Sequence, residues 1–320
     1  RKQYLYSICV HFIGYVSNFR GWVSGPSSFK SKRKKMMTEK ITSNQRKQIV
    51  RFVEDGIDAI NLQKDGAQRL IENGGEFQTE LKKLVERFSI TNQYADEEVE
   101  SSYGYLSGYK PKGITEQTNR LRELFPGIGY ANEKLAEQVL PENAEGWFAI
   151  PRWEKVAPTY GEAVQKVLDM IKQTRNGAFY NYREGELGPN QLRQSAKSVS
   201  VFQKLGDEQK DQDILVVPAQ FGIRHRGRSV RRACEVMNAN ECGLGAFAIG
   251  IMLLTHPERL MHYDDLWIDC AGDEFAPHAG SDFSKSPYFR FLDDKVKFGT
   301  DDVGRAYDYY GSASVCLPQD

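Results

Sequence analysis

The sequence contains no CxxC pair, no GxSxG elbow and no unbroken apolar run of about 18 residues, and each absence removes a class of function. Without the elbow, serine-hydrolase chemistry has no support. Without the apolar run, no segment qualifies as a membrane-spanning helix, so a soluble chain with no membrane partner is expected. Cysteine is scarce. Cys9, Cys234, Cys242, Cys270 and Cys316 are too few to staple a chain of 320 residues, which points to a reducing, cytoplasmic compartment.

Acidic residues are missing from the first 35 positions, which carry eight Lys or Arg, and the first methionines are Met36 and Met37. Residues 1–36 are therefore expected to be a leader or translated upstream sequence outside the fold. The rival reading is a targeting peptide, whose apolar run from Ile8 to Val16 is too short to span a bilayer. The chain as a whole balances 43 basic against 43 acidic side chains, so everything after the leader has a formal excess of eight acids. A net acidic body argues against diffuse nucleic-acid affinity and puts the weight on local basic patches.

What is present reads as two folded parts. Ile49, Phe52, Val53, Ile57 and Ile60 share one helical face, and Thr42 with Gln45 suits a capping box. Two further amphipathic stretches follow, around Leu70 and from Phe77 to Phe88. Together they predict a small helical N-terminal module over residues 37–100, with faces that could also dock a protein partner. SSYGYLSGYKPKG, residues 101–113, is punctuated by glycine and proline and reads as a linker. Its tyrosines could stack on bases or fold back on the next domain.

From 114 to 320 the pattern mixes helices and strands without strict alternation, so the fold class expected is α+β. GWFAIPRW predicts a strand. Thr159 and Glu162 predict a capped helix with Ala163, Val164, Val167, Leu168 and Ile171 buried. A helix is expected from Asn190 to Leu205 and another from Ser229 to Met237. DILVVPAQFG, GAFAIGIMLL and DLWIDC are read as core strands, the glycines of the second arguing against a helix.

The densest charge lies in FGIRHRGRSVRRA, where Arg224, Arg226, Arg228, Arg231 and Arg232 fall within nine residues that contain no acid. Gly222 to Ser229 overlays the phosphate-loop pattern except that Arg228 replaces lysine, and Ser229 would ligate magnesium. Against that, arginine's planar fork does not thread under a phosphate chain as an ammonium does. A broader reading has the five guanidiniums tracking a nucleic-acid backbone. The competing reading is internal pairing with the ten acids between residues 262 and 302.

Two other constellations carry possible chemistry. His256, His262, Asp269 and Asp273, with Glu274 and His278 nearby, could hold a divalent metal for hydrolysis, although the spacing matches no helix-borne pattern. Cys270 could be a nucleophile if the fold brought His225 or His256 beside it. The function expected is binding of a phosphate-rich ligand, nucleic acid first, through Arg224, Arg226, Arg228, Ser229, Arg231 and Arg232. The alternatives are a hydrolase of the phosphate-loop or metal type, and a non-catalytic interaction module. No residue pattern names a cofactor.

The strings AEGWFAIPRWEKVAPTYGEAV, DILVVPAQFGIRHRGRSVRRA, GLGAFAIGIMLLTHPERL and DLWIDCAGDEF resemble an uncharacterised family recurring in uncultivated small-genome bacteria. The resemblance covers nearly everything after Met36. It implies a bacterial, intracellular setting and carries no chemistry.

Overall fold

A computed structural model describes residues 41–89, 92–237 and 240–317. The expected leader, residues 1–36, lies outside the described residues. The chain divides into two compact units, with the boundary between Asn73 and Gly74.

In the first unit, helix α1 (Ser43–Ala59) opens with the capping box predicted for Thr42 and Gln45, and α2 (Lys64–Glu72) follows. Neither helix buries a residue, and Phe52 is 71% exposed. α1 is supported by its capping box, whereas α2 has no side-chain cap, and neither helix packs a buried side chain among the described residues.

The second unit starts with α3 (Gly74–Ser89) and is α+β. The tyrosine-rich segment 101–113 lies along it: Gly104 bridges to Asp265, and Tyr109 is buried. Then come α4 (Ile114–Leu124), β1 (Gly146–Pro151), α5 (Tyr160–Thr174), β2 (Phe179–Asn181), β3 (Leu192–Gln194) and α6 (Ala196–Glu208). The α5 capping box is present, and its five predicted stripe residues are all buried. The helix expected from Asn190 starts later, because Leu192 to Gln194 pair with another strand and Ser195 supplies the N-cap.

β4 (Ile214–Gln220) is buried throughout and leads to α7 (Val230–Val236), β5 (Glu241–Gly243) and α8 (Ala246–Thr255). GAFAIGIMLL, read as a strand, is the α8 helix. Every one of its ten residues is buried, so no polar face marks a helical period. Gly250 is where α5 crosses: a Cβ there would sit 2.4 Å from Val167 Cγ1. What reads as an interruption in sequence is a close helix-to-helix approach.

The remaining strands are β6 (Trp267–Asp269), β7 (Asp273–Phe275), β8 (Lys285–Leu292), β9 (Lys295–Asp302), β10 (Tyr310–Ser312) and β11 (Ser314–Cys316). One sheet has the order β1-β4-β11-β5 and is antiparallel throughout. The other runs β10-β6-β8-β7-β3, with β9 on β8 and β2 on β9. β8 and β9 form a hairpin closed by Asp293 and Asp294, both at positive φ (53° and 56°), as a two-residue turn between twisted strands requires. Phe148, Val167, Ile251, Phe289 and Phe298 meet in the core between the sheets and α5 and α8.

Candidate functional site

The arginine segment leaves β4 at Phe221. Gly222 takes φ +117°, and a Cβ there would meet the Gly311 carbonyl oxygen at 2.7 Å, so only glycine fits the turn. Most of the backbone N–H groups that a phosphate cradle would need already have acceptors. Gly222 donates to Gln220 Oε1, Ile223 to the Tyr105 hydroxyl, Gly227 to the Tyr310 carbonyl and Ser229 to the Glu97 carbonyl. Ser229, assigned to magnesium from the sequence, instead caps α7 through Arg232 N and donates its hydroxyl to Glu97 Oε2 at 2.6 Å.

The guanidiniums are engaged in the same way. Arg224 Nε reaches Glu241 Oε2 at 3.1 Å, and Arg228 Nε reaches Glu98 Oε1 at 3.2 Å. Arg231 forks onto both Glu97 oxygens and lies 4.4 Å from the Tyr94 ring. Arg232 pairs with Glu98 at 2.5 Å and Glu235 at 2.9 Å. Arg226 is exposed and donates to the Tyr103 carbonyl. These carboxylates are Glu97, Glu98, Glu235 and Glu241, and none comes from the 262–302 region. Internal pairing is what the geometry supports, with different partners from those the sequence suggested.

The centre of this network is dry. His225 and Glu241 are both buried, with Nε2 and Oε1 2.7 Å apart. Arg228 Nη1 lies 3.3 Å from His225 Nδ1 and can only donate, so Nδ1 accepts and the proton sits on Nε2. Burial keeps His225 below its ordinary value and hence neutral. Burial works against ionising Glu241 too. There, the hydrogen bond from His225, the charge that His225 gains once protonated in acid, the bond from Ser314 and the charge of Arg224 outweigh it and hold the carboxyl at about 2. The bond from Arg231 likewise holds Glu97 below the usual carboxylate range.

The metal and thiol readings are not supported by the geometry. Among the described residues no group of three or more His, Cys, Asp or Glu is placed to hold a metal ion. His256 Nε2 accepts from Lys112 N at 2.9 Å and Nδ1 faces the Met252 carbonyl, so both ring nitrogens are used. Burial pushes its pKa down to about 4. His262 Nδ1 accepts from Asp264 N in an exposed loop. Asp269 is buried on β6, and Asp273 receives the Ala246 N–H at the start of α8. Cys270 is fully buried, and burial pushes its thiol well above the ordinary value, so it has no thiolate to attack with.

A cleft elsewhere in the second unit has free chemistry. It encloses about 410 Å³ where the end of β1, the turn at Trp153, the first turn of α5, α6 and the start of α8 converge. Trp153, Tyr160, Phe202 and Phe247 contribute rings, and Trp153 meets Tyr160 edge to face at 6.0 Å. Arg152, Glu154, Gln194, Gln203 and Asp207 supply the polar lining. The Tyr160 hydroxyl points away into the protein and donates to Asp273 at 2.8 Å. Burial pushes Asp273 up to about 7, against the lowering effect of the Ala246 N–H and the tyrosine. These residues are spread from Ile150 to Ala248, so no local motif could have grouped them.

A second opening, of about 580 Å³, is lined by Leu124, Phe125 and Met170, but its charges are spent on the protein itself. Lys155 pairs with Asp213 at 2.9 Å, and Lys166 donates to the Val156 carbonyl at 2.7 Å.

Comparison of the chain with protein-family models, with curated proteins and with solved structures returns no match. Among the described residues, no helix is long and apolar enough to cross a membrane.

Proposed function

We propose that the chain is a small-molecule-binding protein whose ligand presents a flat apolar body to the cleft between β1, α5, α6 and α8. One observation carries this reading: four rings, Trp153, Tyr160, Phe202 and Phe247, line a cleft of about 410 Å³. That volume falls within the range of about 300–1,000 Å³ in which drug-sized ligands bury most of their surface. The one hydroxyl–carboxylate pair at the lining, Tyr160 with Asp273, is closed on itself and on the Ala246 N–H, so the reading is of binding rather than catalysis. Nucleic-acid binding through Arg224 to Arg232 is disfavoured, since counterion release needs cations open to phosphate and four of these five already face carboxylates.

Titration of the intact protein with indole, followed by isothermal calorimetry and thermal unfolding, tests the proposal. A saturable signal is expected, with a stabilisation of about 2.7 kcal/mol when the probe reaches 100 times its Kd. Val199 lines the cleft and is 46% exposed, so Val199→Trp fills the space without disturbing the core. That variant should fold and lose the signal. An intact protein that does not respond, or a filled variant that binds as well as the original, overturns the reading.

A further inference from the structure

We infer that the ligand of this cleft is cationic, an apolar ring bearing a protonated amine or quaternary ammonium group. The inference rests on the cleft being a binding site and adds the charge of what enters it. Glu154 and Asp207 line the cleft, both are exposed, and neither forms an ion pair with any described residue. Most carboxylates named above are satisfied by a neighbouring arginine, lysine or backbone N–H. These two are not.

The one basic residue of the lining, Arg152, offsets only one of the two carboxylates, and its N–H groups are taken by the protein itself. Arg152 donates from Nε to the Gln212 carbonyl at 2.8 Å and from Nη2 to the carbonyls of Gly206 and Gln209 at 2.6 and 2.9 Å. Its guanidinium is thereby spent on the end of α6, where unpaired carbonyls and the helix dipole attract a cation. Gly206 is packed against it, since a Cβ there would lie 2.5 Å from Arg152 Nη1. The cleft is left with two carboxylates, an arginine committed elsewhere, and aromatic rings whose faces carry negative potential. The carboxylates and the ring faces attract positive charge, and with two acids against one arginine the lining keeps a net negative charge that disfavours an anion.

The test is a matched pair of probes on the full chain: benzyltrimethylammonium and its neutral carbon isostere, neopentylbenzene. The cation should bind about tenfold more tightly at low salt, the advantage expected from two exposed carboxylates, and lose most of that advantage at 0.5 M salt. In Glu154→Gln/Asp207→Asn, with the fold checked by circular dichroism, the cation-to-neutral ratio should fall to about one. Equal affinities in the native protein, or a ratio unchanged in the double variant, overturn the cationic assignment while leaving the cleft as a binding site. If neither probe nor indole binds, the site itself fails.

Discussion

Replacing Glu241 with glutamine should lower stability by about 3–5 kcal/mol, a large fraction of what a domain has to spend. Glu241 is buried at the end of β5 and accepts from Arg224, His225 and Ser314 at once. All three are donors in the tautomer assigned above. Glutamine keeps the shape, turns an NH₂ towards donors and removes the charge that offsets Arg224. Urea unfolding should show a lower midpoint with an unchanged slope. Arg226→Gln is the internal contrast: Arg226 is exposed and faces only a carbonyl, so its loss should cost within about 0.5 kcal/mol. A loss below about 1 kcal/mol for Glu241→Gln would mean that the network is not what secures β5 to the arginine loop. Because the Glu241 carboxyl is held down at about 2, its contribution is present above the ordinary carboxylate range and fades as pH falls towards 2.

Asp273→Asn should have the opposite sign, and only at the upper end of the pH range. The folded carboxyl titrates near 7 against an ordinary 3.8, so the native state holds a proton that the unfolded chain has released. Stability from this group is complete below about pH 4 and is lost as pH rises through 7. The difference corresponds to about 4 kcal/mol once both states are ionised. Asparagine mimics the neutral form and can still accept from the Ala246 N–H. The variant should match the native protein at pH 4 and exceed it progressively up to pH 8. His256, pushed down to about 4, contributes a slope of the opposite sign over part of this range, so the informative quantity is the difference between variant and native protein. A difference that is flat from pH 4 to 8 would show that Asp273 is ionised throughout.

How far the sequence could be read depended on whether a residue's partner was local. The capping boxes at Thr42 and Thr159 and the stripe of α5 depend on neighbours three or four positions away, and these were legible. β1, β4 and β6 were legible as short apolar runs. α8 was not, since a helix buried on all sides shows no period. Nor was the β8–β9 hairpin, whose turn uses Asp-Asp where a glycine would announce it; in sequence the same two acids read as potential arginine partners. The arginine cluster was legible as a cluster, but its partners were decided by topology. The run DEEVE at residues 96–100 was the available signal, more than 120 positions away from the cluster. The cleft draws on three helices and both sheets, and nothing in the order of its residues brings them together before the chain folds.

Residues 92–99 run beside the arginine loop, with Val99 N donating to Gly227 O and the Gln93 and Tyr94 N–H groups donating to Glu235. A protein trimmed to begin at the glycine-rich stretch after residue 100 would keep all five arginines and discard Glu97 and Glu98. Such a fragment would display a cationic face that the longer chain keeps covered, and would adhere to polyanions as a consequence of the cut. Retention on heparin by the shortened form alone would therefore report the missing strap rather than a biological ligand.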